Sequence, residues 1–503
     1  TTGKPAVCLA TSGPGATNLM TAIADAKLDS VPIIAITGQV STDLIGTDAF
    51  QEVDTYGMSM PITKHNFLAR DAGDLLYIMP EAFRIASSGR PGPVWIDVPK
   101  DVQKQEIEIE SWPFENKETD KIEYDLPIDF DRKIIEAAQM INKSERPLMI
   151  IGGGVNSSGT HKKIYEFAVN NSIPVTSTLM GLGAFPNHDP LFIGMLGMHG
   201  ARYTNFIVDE ADLIIALGIR FDDRVTGKVN EFCPNAKIIH IDIDARELNK
   251  IKEADISIAS DLKPAIDKLI GFIQNRTRSE WISRVNKIRY DAPLIIPRKK
   301  SDIHPIHLIK EISLYVEEDA IITTDVGQHQ MWVAQTYPFN HPRTLLTSGG
   351  FGTMGFGLPA AIGAAVENPD KTVICFTGDG SFLMNIQELA TLADLNLNIK
   401  IILFNNQALG MVKQIQELFY EENYFATQFK SDPDFVKIAS NFGIKSYEIK
   451  KDYEKKDILN MAFKEKGPSF IHIPICPSKN VYPIVVPGEG NRVMIAGGKN
   501  EKY

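Results

Sequence analysis

Residues 373–406 read VICFTGDGSFLMNIQELATLADLNLNIKIILFNN, and the rest of the chain is arranged around them. An apolar run, 372–377, ends in Gly378-Asp379-Gly380-Ser381. A helix-like segment follows, and a second apolar run, 399–404, ends in Asn405-Asn406. In an open parallel sheet, ligands gather where strands end and helices begin. One strand end here offers a carboxylate flanked by glycines, and a neighbouring one offers an amide oxygen. A hard cation such as Mg2+ wants oxygen ligands and commonly shares its shell with ligand phosphates. A helix opening after Gly380 would point its free N–H groups at those phosphates. The stretch predicts a metal–diphosphate site.

Outward from it, 503 residues exceed one core, and about 150 residues per domain suggests roughly three. Hydrophobic content of 44% and charged content of 23% are ordinary for a soluble globular protein. The net charge of −11 favours solubility and argues against nucleic acid or an anionic membrane as main partner. No apolar run approaches the ~20 residues that span a bilayer. Cys8, Cys233, Cys375 and Cys476 are scattered without a CxxC pair, which predicts buried free thiols in a reducing compartment. The chain opens without Met on what reads as an interior strand, so a preceding N-terminal part, with any targeting segment, is expected to be missing.

The chain reads as α/β, with three doubly wound parallel-sheet domains. Residues 1–103 form the first, with apolar runs at 6–11, 32–38 and 94–99 expected to be strands buried on both faces. Between them, TSGPGATN (11–18) is a turn into a helix of small residues, open to readings as strand–helix punctuation or as a ligand loop. The loop SSGRPGP (87–93) presents Arg90. Residues 104–130 read as a linker and 131–275 as the second domain, with strands at 148–151, 174–178, 213–217 and 237–242. Gly152-Gly153-Gly154 follow the first of these and would let a backbone approach a phosphate, although the GxGxxG spacing is lacking. Asp242 and Asp244 end a strand, either as acceptors for ribose hydroxyls or as solvated acids. A second linker, 276–304, leads to the third domain, 305–480, with strands at 320–325, 372–377, 399–404 and 469–475. Within it, 348–365 is a glycine-dense loop running into an Ala/Gly-rich helix, and Met354 is a large side chain set to project from that loop. The tail, 481–503, is proline-rich and apolar, cannot form a helix, and suits a cover over a site or a partner subunit.

GDG alone is a common turn. GDGS at a strand end, followed 27 residues after the Asp by the second Asn of NN, is far more specific and resembles the thiamine-diphosphate-binding motif. The resemblance runs along nearly the whole chain, to the acetolactate synthase (acetohydroxyacid synthase) catalytic-subunit family. It is carried by TSGPGATN (11–18), GQV (38–40), DAFQE (48–52), SGRPGPVWIDVPKDV (88–102), LGMHG (196–200), RFDDR (220–224), HIDID (240–244), GQHQMW (327–332), GGFGTMGFGLPAAIGA (349–364) and VYPIVVPG (481–488). It implies pyrimidine-binding, FAD-binding and diphosphate-binding domains in that order. Asp379 and Asn406 match side-chain ligands of Mg2+, and the backbone carbonyl of Ala408 matches a third. Gly380 and Ser381 match diphosphate donors, and Gln328 and His329 line the same pocket. Met354 matches the residue that wedges under thiamine diphosphate and bends it, which is positioning work. Gln39 matches a position close to the reacting carbon, while Phe50, Gln51 and Lys100 match the substrate entrance. For FAD, which is structural in this family, the matches are Arg90, Gly152, Gly153, Gly154, Thr178, Leu179, Met180, Leu196, Gly197, Met198, His199, Gly218, Arg220, Asp242, Ile243, Asp244 and Asp261. Without the resemblance, Lys100 reads as a surface lysine.

The implied reaction decarboxylates pyruvate and condenses the two-carbon unit with a second pyruvate or with 2-ketobutyrate, the first common step of valine, leucine and isoleucine biosynthesis. Active sites shared between subunits imply a homodimer or homotetramer, which in this family can recruit a small regulatory subunit. The implied compartment is the cytoplasm, or a plastid or mitochondrion in a eukaryote. Two departures from the pattern stand out. The activating Glu of the family lies upstream of the TGKP region and is outside these residues, and a chain without it is expected to be almost inactive. Where the family usually has Trp, this chain has Ile415, which predicts weaker discrimination between 2-ketobutyrate and pyruvate. Rival readings are another thiamine-diphosphate enzyme of the same build (pyruvate oxidase, glyoxylate carboligase, sulfoacetaldehyde acetyltransferase) and a FAD-binding scaffold without activity.

Overall fold

A computed structural model describes residues 1–109, 126–296 and 303–497, which fall into two compact units. One unit contains a four-stranded parallel sheet and takes in Ser348–Thr353 from later in the chain. Its strands are β1 (Ala6–Ala10), β2 (Ile33–Gln39), β3 (His65–Leu68) and β4 (Val94–Pro99), in the order β1-β2-β4-β3. β4 is buried along its whole length, as a double-sided strand requires. β1 corrects the expectation, because it is an edge strand with Leu9 76% exposed. β3 was not expected, since His65-Asn66-Phe67-Leu68 is short and half polar. The helix Pro14–Leu28 opens with Pro in its first turn and buries Ala16, Ile23, Ala24 and Ala26. Two carboxylates one turn apart, Asp25 on this helix and Asp29 at its C-cap, hold the 348–353 segment. Asp25 accepts from the Ser348 hydroxyl and, at 3.1 Å, from that of Thr353. Asp29 accepts from the Gly349 and Gly350 amides at 2.9 and 2.7 Å.

The other unit carries two six-stranded parallel sheets. The first consists of β5 (Pro147–Ile151), β6 (Val175–Ser177), β7 (Phe192–Met195), β8 (Leu213–Leu217), β9 (Lys237–Asp242) and β10 (Ile256–Ala259), ordered β10-β9-β8-β5-β6-β7. The second consists of β11 (Ile321–Thr324), β12 (Leu345–Leu346), β13 (Val373–Gly378), β14 (Ile399–Asn405), β15 (Lys445–Glu448) and β16 (Ser469–Pro474), ordered β12-β11-β13-β14-β16-β15. The 373–406 stretch therefore supplies two central neighbours, β13 and β14, in register from Val373 opposite Ile399 to Gly378 opposite Phe404. Both are buried throughout. Phe376 stacks on Phe404, and each such buried side chain is worth about 1.5–3 kcal/mol. One apolar core joins residues under both sheets, including Ile215, Trp332, Phe376 and Ile471.

Three expectations change. Residues 279–291 lie within the stretch read as a linker, yet they form the helix Ser279–Asp291, whose Trp281, Val285 and Ile288 are buried. Trp281 Nε1 also donates to Pro147 O at 2.9 Å. Parts of both expected linkers, 110–125 and 297–302, lie outside the described residues, as do 498–503 of the tail. The described tail is built into this unit: Ile484–Val485 pairs antiparallel with Met494–Ile495, and the Val485 amide donates to Met198 O. Of the four thiols, only Cys233 and Cys375 are buried; Cys8 is half-buried and Cys476 exposed. Among the described residues no helix is long and apolar enough to cross a membrane.

Candidate active site

Strands of a parallel sheet all end at one edge, so residues just past their C-termini share a face whatever their distance in sequence. In the second six-stranded sheet, β11 is followed by Asp325, Gln328 and His329, β13 by Asp379, and β14 by Asn406 and Ala408. Asp379 is 3% exposed, and burial pushes its carboxyl up to about 6. Its Oδ1 accepts from the Gly380 amide at 2.9 Å and its Oδ2 from the Ala408 amide at 3.2 Å. The second contact joins the ends of β13 and β14, bringing Asp379, Asn406 and Ala408 into one cluster. The Ala408 amide also lies 3.2 Å from Asn406 Oδ1.

The turn that achieves this is built by residues whose role was not read from the sequence. Asn405 Oδ1 accepts from the Gln407 amide at 3.0 Å, and Gln407 takes φ of 54°. The first Asn of the pair thus shapes the turn, and the second shares the Ala408 amide with Asp379. Asn406 Nδ2 donates to Gln328 Oε1 at 3.0 Å. Gln328 Nε2 donates in turn to Gln414 Oε1 at 3.0 Å and to Asn480 Oδ1 at 3.2 Å. Gln414 also exchanges two bonds with the Val481 backbone, tying this amide chain to the tail. Gly410, the first residue of the helix Gly410–Phe419, leaves room for the network: a Cβ there would overlap Gln328 Oε1 and lie 2.5 Å from Asn406 Nδ2.

The helix expected after Gly380 is a single turn, Asp379–Phe382, and the Gly380 amide is already used by Asp379. Ser381 Oγ donates to Val326 O at 3.0 Å. His329 is buried, its Nε2 has no partner among the described residues, and burial pushes its pKa down to about 3, so the ring is neutral at pH 7. Met354 is half-buried, as is Ile415 on the Gly410–Phe419 helix. The donor set of one carboxylate, one carboxamide and one carbonyl is all hard oxygen. Among the described residues no three His, Cys, Asp or Glu side chains gather as transition-metal sites require. A buried carboxylate whose partners among the described residues are N–H groups fits a Mg2+ that completes its shell with phosphate oxygens.

The first six-stranded sheet repeats the logic. Gly152–Gly154 follow β5, Thr178, Leu179 and Met180 follow β6, and Leu196, Gly197, Met198 and His199 follow β7. Gly218 and Arg220 follow β8, Ile243 and Asp244 follow Asp242 at the end of β9, and Asp261 follows β10. All these positions therefore lie along one edge. Backbones touch there: a Cβ on Gly154 would sit 2.6 Å from Gly218 Cα, and a Cβ on Gly153 3.3 Å from Met180 Cβ. Gly197 takes φ of +94°, and the next amide, Met198 N, donates to Arg224 O at 2.8 Å. Asp261 is spent capping the helix Leu262–Ile270 through the Lys263 amide, and Asp244 is paired with Arg246. His199 is buried beside Pro483 O, and burial lowers its pKa to about 4. The glycine-lined edge fits a dinucleotide.

On the four-stranded sheet, Gln39 and Lys100 lie together at their strand ends, and Arg90 lies apart from them. Gln39 ends β2 and Lys100 follows β4, joined by the Lys100 amide donating to Gln39 O at 3.0 Å. Gln39 Nε2 donates to Val53 O at 2.9 Å. Phe50 is 88% exposed and Gln51 takes φ of 60°. Arg90 precedes β4, at the opposite edge of the sheet, and donates to Ser30 Oγ at 2.8 Å and Leu28 O at 3.3 Å.

Three family models match the chain: the thiamine pyrophosphate enzyme N-terminal TPP binding domain over residues 1–58, the central domain over 134–269, and the C-terminal TPP binding domain over 325–473. Among similar proteins, acetolactate synthase isozyme 1 large subunit of Escherichia coli K12 is 52% identical over 495 residues, covering 98% of this chain and 87% of that protein. The chain belongs to the acetolactate synthase large-subunit family. Isozyme 2 of the same bacterium is 45% identical, covering 98% of this chain and 88% of that protein. The large subunit of Cyanidium caldarium is 45% identical over 517 residues, covering 100% and 87%.

Proposed function

We propose that the chain is the catalytic subunit of an acetolactate synthase, a transferase that joins two 2-keto acids with loss of CO2. The observation that carries this is the meeting of the Asp379 and Asn406 side-chain oxygens at the Ala408 amide, at the ends of β13 and β14, in a chain 52% identical to an acetolactate synthase large subunit. Asp379, Asn406 and the Ala408 carbonyl would hold Mg2+, with Gly380 and Ser381 binding the diphosphate. Thiamine diphosphate, when bound, supplies an electron sink for the decarboxylation of pyruvate. The chain's own residues orient and enclose. Gln328 fixes the Asn406 amide so that its oxygen is presented to the cation. Neutral His329 offers a ring nitrogen to the same pocket, and Met354 holds the cofactor's bend. Gln39, Phe50, Gln51 and Lys100 serve the 2-keto acids, in active sites shared between subunits of a homodimer or homotetramer.

The edge of the first six-stranded sheet would hold FAD in a structural role. The acceptor is pyruvate, giving 2-acetolactate, or 2-ketobutyrate, giving 2-aceto-2-hydroxybutyrate, and Ile415 relaxes the choice between them. That the relatives are large subunits supports a small regulatory partner. The compartment would be the cytoplasm of a bacterium, or a plastid or mitochondrion in a eukaryote. The full-length protein, given pyruvate with and without thiamine diphosphate, Mg2+ and FAD, should form acetolactate only with the first two present. Acetyl phosphate or acetate as the main product would overturn the assignment.

A further inference from the structure

Asp325 stands just past β11, the strand beside β13, and has no part in the metal or diphosphate set. It is 1% exposed, and burial raises its carboxyl above the usual range. Oδ1 accepts from the Gly355 amide at 2.7 Å, and Oδ2 from the Thr377 hydroxyl at 2.9 Å. Gly355 is the residue after Met354. Its carbonyl accepts from Asn385 Nδ2 at 2.6 Å, and its φ is +91°. A Cβ there would lie 2.7 Å from the same Asn385 nitrogen. The backbone leaving Met354 is therefore fixed at its N–H, at its carbonyl and by a conformation that suits only glycine. Burying a carboxylate to accept from a glycine amide is costly, and the charge-assisted bond it makes is roughly twice as strong as a neutral one.

We propose that Asp325 is a positioning residue, which acts through Gly355 to set the direction of Met354 and hence the bend of bound thiamine diphosphate. This rests on Met354 being the wedge under that cofactor. The diphosphate end is held by other residues, so the device acts on the reacting end alone.

The test uses the full-length holoenzyme with D325A, D325N, M354A and D325A/M354A. A misplacement near 1 Å costs about 100-fold, so D325A should lower kcat about 30–100-fold. The pyruvate KM and the thiamine diphosphate Kd should stay within about threefold, because Asp379 and Asn406 are untouched. D325N keeps an oxygen for Gly355 and should recover kcat to within about fivefold of wild type. With Met354 already gone, adding D325A should cost less than about threefold. Independently of turnover, amide exchange at Gly355 in the cofactor-free protein should quicken about tenfold or more in D325A and stay unchanged in M354A. An equal kcat loss from D325A in both backgrounds, or unchanged Gly355 exchange, would overturn the proposal. If M354A itself keeps full kcat, the wedge assignment fails, and the exchange experiment still decides whether Asp325 holds Gly355. Should D325A not fold, D325N takes its place, and its smaller loss must likewise vanish in the M354A background.

Discussion

Replacing Gly410 by Ala adds one methyl group where the amide network of the metal site has no space. The backbone accepts Ala, since Gly410 opens a helix, and that change alone should stabilise by about 0.5–1 kcal/mol. The new Cβ, however, overlaps Gln328 Oε1 and meets Asn406 Nδ2 at 2.5 Å. Gln328 cannot swing aside cheaply, because its Nε2 is held by Gln414 and Asn480. The Gln328–Asn406 bond must break, losing about 1 kcal/mol and leaving two buried polar atoms at about 1–3 kcal/mol each, partly relieved by relaxation. The net cost should be about 2–4 kcal/mol, and the freed Asn406 amide should weaken Mg2+-dependent thiamine diphosphate binding by about tenfold or more. Denaturant unfolding of cofactor-free protein measures the first effect and titration calorimetry the second. The decisive measurement is a double-mutant cycle with Gln328→Ala, in which the cost of Gly410→Ala should shrink markedly because only the overlap with Asn406 is left. An undiminished cost in the Q328A background would refute the reasoning.

Lys400 lies inside β14, 1% exposed, donating to Glu465 O and Gly467 O, and burial lowers its pKa to about 8. Between that value and its ordinary one the unfolded chain binds the extra proton, so Lys400 favours folding more as pH rises. Wild type should gain on Lys400→Met by on the order of 1–2 kcal/mol between pH 7 and pH 10, and parallel stability curves would count against this. Restoring the flat aromatic with Ile415→Trp should raise 2-ketobutyrate preference about tenfold in a competition assay with pyruvate, and an unchanged ratio would remove Ile415 from the acceptor pocket. Gly197→Ala faces both φ of +94° and an overlap with Arg224 O, so purified protein should lose most of its yellow flavin absorbance. Retention of stoichiometric FAD would show that the LGMHG loop does not border the flavin.

The legible parts of this chain were those in which a buried parallel strand shows as a continuous apolar run closed by Gly, Asp or Asn. β13 and β14 met both conditions, so their neighbouring positions and the Asp379–Asn406 pairing followed directly. β3, β12 and β15 did not: they are edge or two-residue strands whose pairing is decided by neighbours rather than by their own residues. The helix Ser279–Asp291 carries its signal at Trp281, Val285 and Ile288, a one-sided spacing hidden among charged residues. Asn405 and Asp325 were harder still. An Asx turn and a buried loop clamp look, in one dimension, like a repeated Asn and a solvated strand-end acid. Only the arrival of the Gln407 amide and the distant Gly355 amide gives them roles.

The tail also bears on how the protein is made. Val481 completes the bonding of Gln414 beside the metal site, and Val485 closes onto Met198, a residue translated nearly 290 positions earlier. At about 5–20 residues per second, the loops after β7 wait on the order of 15–60 s on the ribosome for that partner. Until then the buried amides near Gln328 have an open end. Assembly of both candidate cofactor edges therefore comes late in synthesis, and a nascent chain stalled before residue 481 should already have its sheets but bind neither cofactor well.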